Sequence, residues 1–153
     1  MANTQAMATS FKSDLLIAYH NFGTAPTRAT ATADTFKAAL YLASATVNAS
    51  TTQYSTTNEV VGTGYTAGGV AITAWNAPTN SSTTVGFTTP TASITYTTVT
   101  LTTAFDAVLI YNNTQANNRA VSVHTFGSQT VTAGTFTLTM PTNNSTSALI
   151  RLA

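Results

Sequence analysis

His20 and His124 are the two imidazoles of the chain, and Asp14, Asp34, Glu59 and Asp106 are its four carboxylates. A catalytic zinc takes three protein ligands, so even both histidines together would need an acid held beside them. Asp14 and His20 stand six positions apart, off a shared helical face, and no other acid has a spacing that ties it to either histidine. His124, in Val121-Ser122-Val123-His124-Thr125-Phe126, falls on the strand face opposite Val121 and Val123 and reads as a surface or interface histidine. Serine and threonine abound, but a hydrolase triad needs a base and an orienting acid at one nucleophile, and there is no Gly-x-Ser-x-Gly elbow. Two acids can cleave a glycoside when held at the right separation, which the sequence assigns to no pair here. Gly62-Thr63-Gly64-Tyr65-Thr66-Ala67 matches a loose dinucleotide-loop pattern. That loop works between a strand and a helix, with an acid about twenty positions on. Strand-like Gly68-Gly69-Val70-Ala71-Ile72-Thr73 follows instead, and no carboxylate lies between Glu59 and Asp106. The segment reads as a bent structural loop. The expectation is a non-enzymatic chain with no catalytic residue, no cofactor or cofactor-binding residue, and no metal ligand.

The elements that would position any site are written in a charge-poor alphabet. Nine side chains carry full charge, 6% of the 153 residues, against about 25% in ordinary soluble domains. Threonine, serine and asparagine take their place, with threonine nearly a quarter of the chain. Polar tracts of this kind can be disordered, but 43% apolar content with seven Phe and six Tyr argues for a packed core. A nearly neutral, hydroxyl-rich surface suits permanent packing against neighbours, since free monomers normally rely on interspersed charge. The five basic residues, Lys12, Arg28, Lys37, Arg119 and Arg151, are too dispersed for phosphate recognition, so no nucleic-acid partner is expected. No apolar run reaches membrane-spanning length and the N-terminus lacks a signal-peptide pattern, so no membrane partner is expected and synthesis is expected in a cytoplasm. Without cysteine, disulfides and thiolate sites are excluded.

Along the chain, residues 1–9 read as a flexible arm and 10–153 as one β-rich domain. Phe11, Leu15, Ala18, Tyr19 and Phe22 make an apolar stripe for one helix, capped by Thr9 or Ser10 and stopped near Asn21–Gly23, with a loop over Thr24–Ala33. From Asp34 the period becomes two, with Phe36, Ala38, Leu40 and Leu42 on one face. Further strands are expected over Val70–Trp75, Thr83–Thr88, Ser93–Thr102, Phe105–Asn112, Ala120–Phe126, Thr135–Met140 and Ala148–Leu152. Turns are expected at Asn76–Ser82, Pro90, Asn112-Asn113, Gly127-Ser128, Gly134 and Pro141–Asn144. Such short strands without long crossover helices predict a mainly β fold: an antiparallel β-sandwich or jelly-roll-like domain with one short N-terminal α-helix. The expected core includes Phe36, Leu40, Ile110, Val121, Phe136, Leu138 and Ile150. Few charges guard the strand edges, so these are covered either within the fold or by partner subunits. Tyr19, Tyr41, Tyr54, Tyr65, Trp75 and Tyr96 have the chemistry to stack on sugars, or simply fill strand faces.

The chain resembles small tailed-phage virion structural proteins of the capsid decoration or cement kind. The matching segments are Phe11-Lys12-Ser13-Asp14-Leu15-Leu16 with His20-Asn21-Phe22, then Asp34-Thr35-Phe36-Lys37-Ala38-Ala39-Leu40-Tyr41, then Asn58-Glu59-Val60-Val61-Gly62 through Gly69. The second half adds Leu109-Ile110-Tyr111-Asn112-Asn113-Thr114, Arg119-Ala120-Val121, Gly134-Thr135-Phe136-Thr137-Leu138 and Ala148-Leu149-Ile150-Arg151-Leu152. The departures are Val108-Leu109, where a glycine-alanine-like step is expected, and His124, where an acid is common. The resemblance implies no active residue. It implies a place on the outer capsid surface of a virion, the major capsid protein as partner, and a homo-oligomer, a trimer being favoured for threefold positions. The arm 1–9 would then order on a neighbour, and its deletion would leave the β core folded. The readings beside it are a tail or head-fibre component and a carbohydrate-binding adhesin module.

Overall fold

The computed structural model describes residues 2–16, 19–22, 33–81 and 85–153. Its elements in chain order are β1 (Ala6–Met7), α1 (Thr9–Leu16), β2 (Phe36–Leu42), β3 (Val70–Ile72), β4 (Thr79–Ser81), β5 (Val85–Thr88), β6 (Ile94–Asn112), β7 (Ala120–Leu138) and β8 (Ile150–Leu152). All strand pairing between these elements is antiparallel: a five-stranded sheet in the order β1-β7-β6-β2-β3, and a three-stranded sheet in the order β4-β5-β8. The protein is mainly β, sandwich-like, with one short N-terminal helix, as the alternating pattern predicts.

Two 19-residue strands dominate it. The sequence suggests four strands here, with breaks between Thr102 and Phe105 and at Gly127-Ser128 and Gly134. Instead, β6 and β7 stay paired from Ile94↔Leu138 to Tyr111↔Ala120, with register shifts concentrated between Tyr96 and Ala107 and one more at Ile110/Tyr111. Bulges of this kind bend a strand and raise its twist, and here they make a corner. Phe105 lies opposite Gln129 and Tyr96 opposite Phe136, yet the rings of Phe105 and Phe136 are 5.0 Å apart. The ribbon has folded over, so its far half faces its near half. The turn-forming residues mark a bend inside a continuous strand, because the ladder survives while its direction changes. Thr98 and Ala133 take φ of 52° and 46° in the same stretch.

That folded ribbon supplies both walls of the core. Phe36, Ala38 and Leu40 of β2 pair with Asn112, Ile110 and Val108 of β6 and share one face. Ile94, Phe126, Leu138 and Leu149 lie over Val108 and Ile110. The opposite face carries Tyr41, Leu109 and Tyr111 and is covered by the segment after β2, with Tyr54 stacked 4.7 Å from Tyr111. Because β2 and the near half of β6 are covered on both sides, they are buried at almost every position. Phe36, Leu40, Ile110, Val121 and Ile150 are in the core as expected, whereas Phe136 and Leu138 are half-buried against it. Their strand is at the margin of the fold, which alternation alone does not reveal.

Three further expectations are corrected. The arm is docked: Ala6 and Met7 pair with Val123 and Ser122, Thr4 N donates to Val47 O, and Ala8 is fully buried. Asn3 adds side-chain bonds to Leu42 O and Asp106 Oδ1 and accepts from Val47 N. The described helix spans Thr9–Leu16, and Tyr19–Phe22 are non-helical. Within the turn expected at Asn76–Ser82, Thr79–Ser81 form β4. The loop expected over Thr24–Ala33 lies, but for Ala33, outside the described residues.

Candidate functional site

Glu59 is a buried carboxylate with three donors. Tyr54 and Tyr65 donate their hydroxyls at 2.6 and 2.7 Å, and the Gly68 N–H donates at 2.7 Å. The Tyr65 oxygen in turn accepts from Leu40 N, and the Tyr111 hydroxyl donates to Gly68 O. Buried charge is tolerated where such bonds satisfy it. Burial and the adjacent carboxylate push the tyrosines up, Tyr41 and Tyr111 to about 12 and Tyr65 further. They therefore remain neutral donors at any ordinary pH. The network braces the glycine loop against β2 and β6.

The glycines of that loop are there for close approach. A Cβ on Gly62 would come within 2.2 Å of Thr100 O, and one on Gly64 within 2.2 Å of Thr98 O. A Cβ on Gly69, at φ +71°, would overlap Ala38 O at 1.7 Å. The Gly68 N–H is taken by Glu59 and the Gly69 N–H by Thr66 O, and β3 follows the loop in place of a helix. The phosphate-cradling geometry required by the Gly62–Ala67 motif is missing.

The second cluster joins residues that the sequence leaves apart. Once α1 stops, Tyr19 N donates back to Asp14 O, and His20 Nε2 comes to 3.6 Å from Asp14 Oδ2. Spacing along a regular helix separates this pair, but Tyr19 and His20 are non-helical and the pair meets. Asn112 Nδ2 lies 3.1 Å from His20 Nδ1 and donates to Asp34 Oδ2 at 2.6 Å. Neither Asp34 nor Asn112 carries a sequence signal for this, since the link depends on β6 ending beside the 19–22 segment. The imidazole is packed by Phe11, 4.8 Å between centroids, in an aromatic seam that runs through Phe22 and Phe36 to Trp75. Burial lowers the His20 pKa, against the pull of Asp14 and Asp34. With Asn112 on one nitrogen and Asp14 facing the other, the ring is held as a structural joint between α1 and the core.

His124 is half-buried in an apolar crevice of about 130 Å³, among Val108, Phe126, Leu138 and Met140, with its Nε2 2.9 Å from Ser122 Oγ. It is expected at the surface or an interface, and it stands half-buried where the folded ribbon partly covers that face. Desolvation lowers its pKa to about 4. Among the described residues no three of His, Asp and Glu converge as a metal-ligand set.

Of the aromatics considered for sugar stacking, Tyr41, Trp75 and Tyr96 are buried and Tyr54 and Tyr65 are tied to Glu59. Tyr19 sits under the Arg119 guanidinium, 5.2 Å from its centroid. These rings make core and braces.

What the described surface offers is a strand edge. Only Val61 (86%) and Leu152 (41%) expose large apolar side chains among the described residues. The outer side of β7 is occupied at its start, where Gln53 bridges Arg119, Ala120 N donates to Thr52 O and β1 pairs with Ser122 and Val123. Beyond His124, among the described residues, no strand, bridge or backbone hydrogen bond covers that side. The matching side of β6 is covered by the glycine loop, with Thr100 N donating to Thr63 O. No Asp, Glu, Lys or Arg occurs between Arg119 and Arg151, so the open edge is uncharged. Edges are normally blunted by charge or proline; this one has only its bend. Comparison of the chain with protein-family models, with curated proteins and with solved structures finds no match.

Proposed function

We propose that this chain is a structural virion protein of a tailed phage, which decorates and cements the capsid through oligomeric contacts with capsid subunits. The observation that carries the association reading is the uncharged outer edge of β7 beyond His124, which no described residue covers by strand pairing or backbone hydrogen bonds. A strand edge recruits other chains through main-chain hydrogen bonds. The hydroxyl-rich surface around it packs without the desolvation cost of burying Lys or Glu. The place on a capsid is supported by the resemblance of the sequence segments to virion structural proteins. Many weak contacts per oligomer suffice for retention, because each contact raises the effective concentration of the next.

A tail or head-fibre component would use the same edge and differs only in its position on the particle. The sugar-binding reading has less in its favour, since Tyr41, Trp75 and Tyr96 are buried and the half-buried Tyr54 and Tyr65 are tied to Glu59. A density map of the particle, together with heating of particles with and without the protein, tests the proposal. Density on the shell lattice and earlier bursting of bare particles are expected. Density confined to the tail, or identical heat resistance, would overturn the cement reading.

A further inference from the structure

We infer that segment 19–22 is an acid-released latch, closed over Phe36 and Trp75 while His20 is neutral and lifted away when its ring takes a second proton. The inference goes beyond the association reading above and does not rest on it. Among the described residues the segment has no strand pairing. Side chains and rings tie it down instead. Asn112 Nδ2 reaches Tyr19 O at 3.1 Å, Asn21 N donates to Asp34 Oδ2 and Asp34 N donates back to Asn21 O. The Phe22 ring stacks on Phe36 at 4.5 Å and meets Trp75 edge-on at 4.8 Å. An apolar crevice of about 250 Å³, walled by Phe11, Leu15, Phe22, Phe87 and Ile150, separates this segment from β5 and β8. No rung between β2, β6 and β7 involves residues 19–22, so their ladder survives if the segment leaves.

The closed geometry suits a neutral imidazole and not a cation. The His20 side chain is fully buried, with Nδ1 against Asn112 Nδ2 and Nε2 3.6 Å from Asp14 Oδ2. An imidazolium donates from both nitrogens, and an amide nitrogen cannot accept. Asn112 Oδ1 is held by Thr114 N and Gln115 N and cannot take the nitrogen's place. The charged groups around the ring are Asp14 on α1, Asp34 ahead of β2 and Arg119 ahead of β7. Burial lowers the pKa of the ring, the two aspartates oppose that, and Arg119 adds to it. Once released into water the ring returns to about 6.5, so opening gains free energy as pH falls below that value. The gain stops where the closed ring also takes its proton. What opening uncovers is the aromatic seam of Phe11, Phe36 and Trp75.

Trp75 is the chain's one tryptophan, so its emission reports on the latch alone. The test follows Trp75 emission and acrylamide quenching of the full-length protein from about pH 7.5 to about pH 5, with far-UV circular dichroism and the imidazole proton resonances alongside. The wild type should show a reversible red shift and a rise in quenching, centred below pH 6.5 and in step with the His20 resonances, while the β signal is retained. His20→Gln should lose the transition and His124→Gln should keep it. A Trp75 signal flat across the range would overturn the inference, as would His20 protonating with Trp75 unmoved. So would a transition that persists in folded His20→Gln, vanishes in folded His124→Gln, or coincides with loss of the β signal. Should His20→Gln fail to fold, the His20 resonances of the wild type decide the matter.

Discussion

The Nδ1 atom of His20 faces the side-chain nitrogen of Asn112 at 3.1 Å, and the same nitrogen donates to Tyr19 O at 3.1 Å and to Asp34 Oδ2 at 2.6 Å. Asn112 Oδ1 accepts from Thr114 N and Gln115 N, so the amide cannot be turned around. An amide nitrogen only donates. A neutral ring with Nδ1 unprotonated suits this donor, and its Nε2 then lies 3.6 Å from Asp14 Oδ2. A second proton on Nδ1 would set donor against donor inside the joint between α1 and the core.

Stability should fall on acidification for this reason and for the burial of His124. Both histidines have folded pKa values below 6.5, His124 at about 4. Above pH 7 they are neutral in both states and contribute no slope. Below about 6.5 the unfolded chain takes up protons that the folded chain refuses, so stability drops until about pH 4, where folded His124 also protonates. For partly exposed His124 the loss is on the order of 2 kcal/mol. Urea midpoints at several pH values, with His124→Gln as comparison, check it. The substitution should flatten the slope between pH 6.5 and 4, and an unchanged slope would show that His124 is solvated.

Gly69→Ala should be among the most damaging single changes in the protein. The added carbon overlaps Ala38 O at 1.7 Å, and the residue sits at φ +71°. Backbone on β2 cannot yield without disturbing its pairing with β6, so a loss of about 3 kcal/mol or more is expected. A thermal melt within a few degrees of wild type would mean that the loop does not approach β2 this closely.

Phe105→Ala and Phe136→Ala should differ although their rings touch. Phe105 is fully buried and should cost about 3–5 kcal/mol, whereas half-buried Phe136 should cost about half as much. Equal losses in denaturant titrations would place Phe136 deeper than its position on β7 allows.

Deleting residues 2–8 should destabilise the fold itself. The cut removes β1, buried Ala8 and the three side-chain bonds of Asn3. A lowered urea midpoint is expected, and a truncated chain as stable as the full one would return the segment to the role of a free arm.

Strand content, the single helix and the structural nature of the glycine loop are legible from residue types, because each is a local matter of period or punctuation. The sequence misleads where local signals serve a distant purpose. Gly127, Ser128 and Gly134 have the chemistry of turns, and the chain uses them to bend a ladder it never breaks. Asn3 and Thr4 look like a solvated tail, because nothing local announces that Val47 and Asp106 wait for them. The tyrosines around Glu59 come from several segments and meet only once the loop has closed on β2.

The folded ribbon also sets an order in time. Its turn, between Asn112 and Arg119 with Asn117 and Asn118 at φ 67° and 48°, brings Tyr111 to Ala120 across a short loop. Small loops close in well under a microsecond and hairpins in microseconds. Ile94 and Leu138, at the far end, wait until every rung before them has zipped and the corner has been rounded. Only then do Phe105 and Phe136 meet and the two walls shut. Contacts of such high order make folding slow, on the scale of milliseconds to seconds. Through that interval the near half stands as an open sheet with its apolar face wet, so newly made chains are most at risk of sticking to one another before the corner forms.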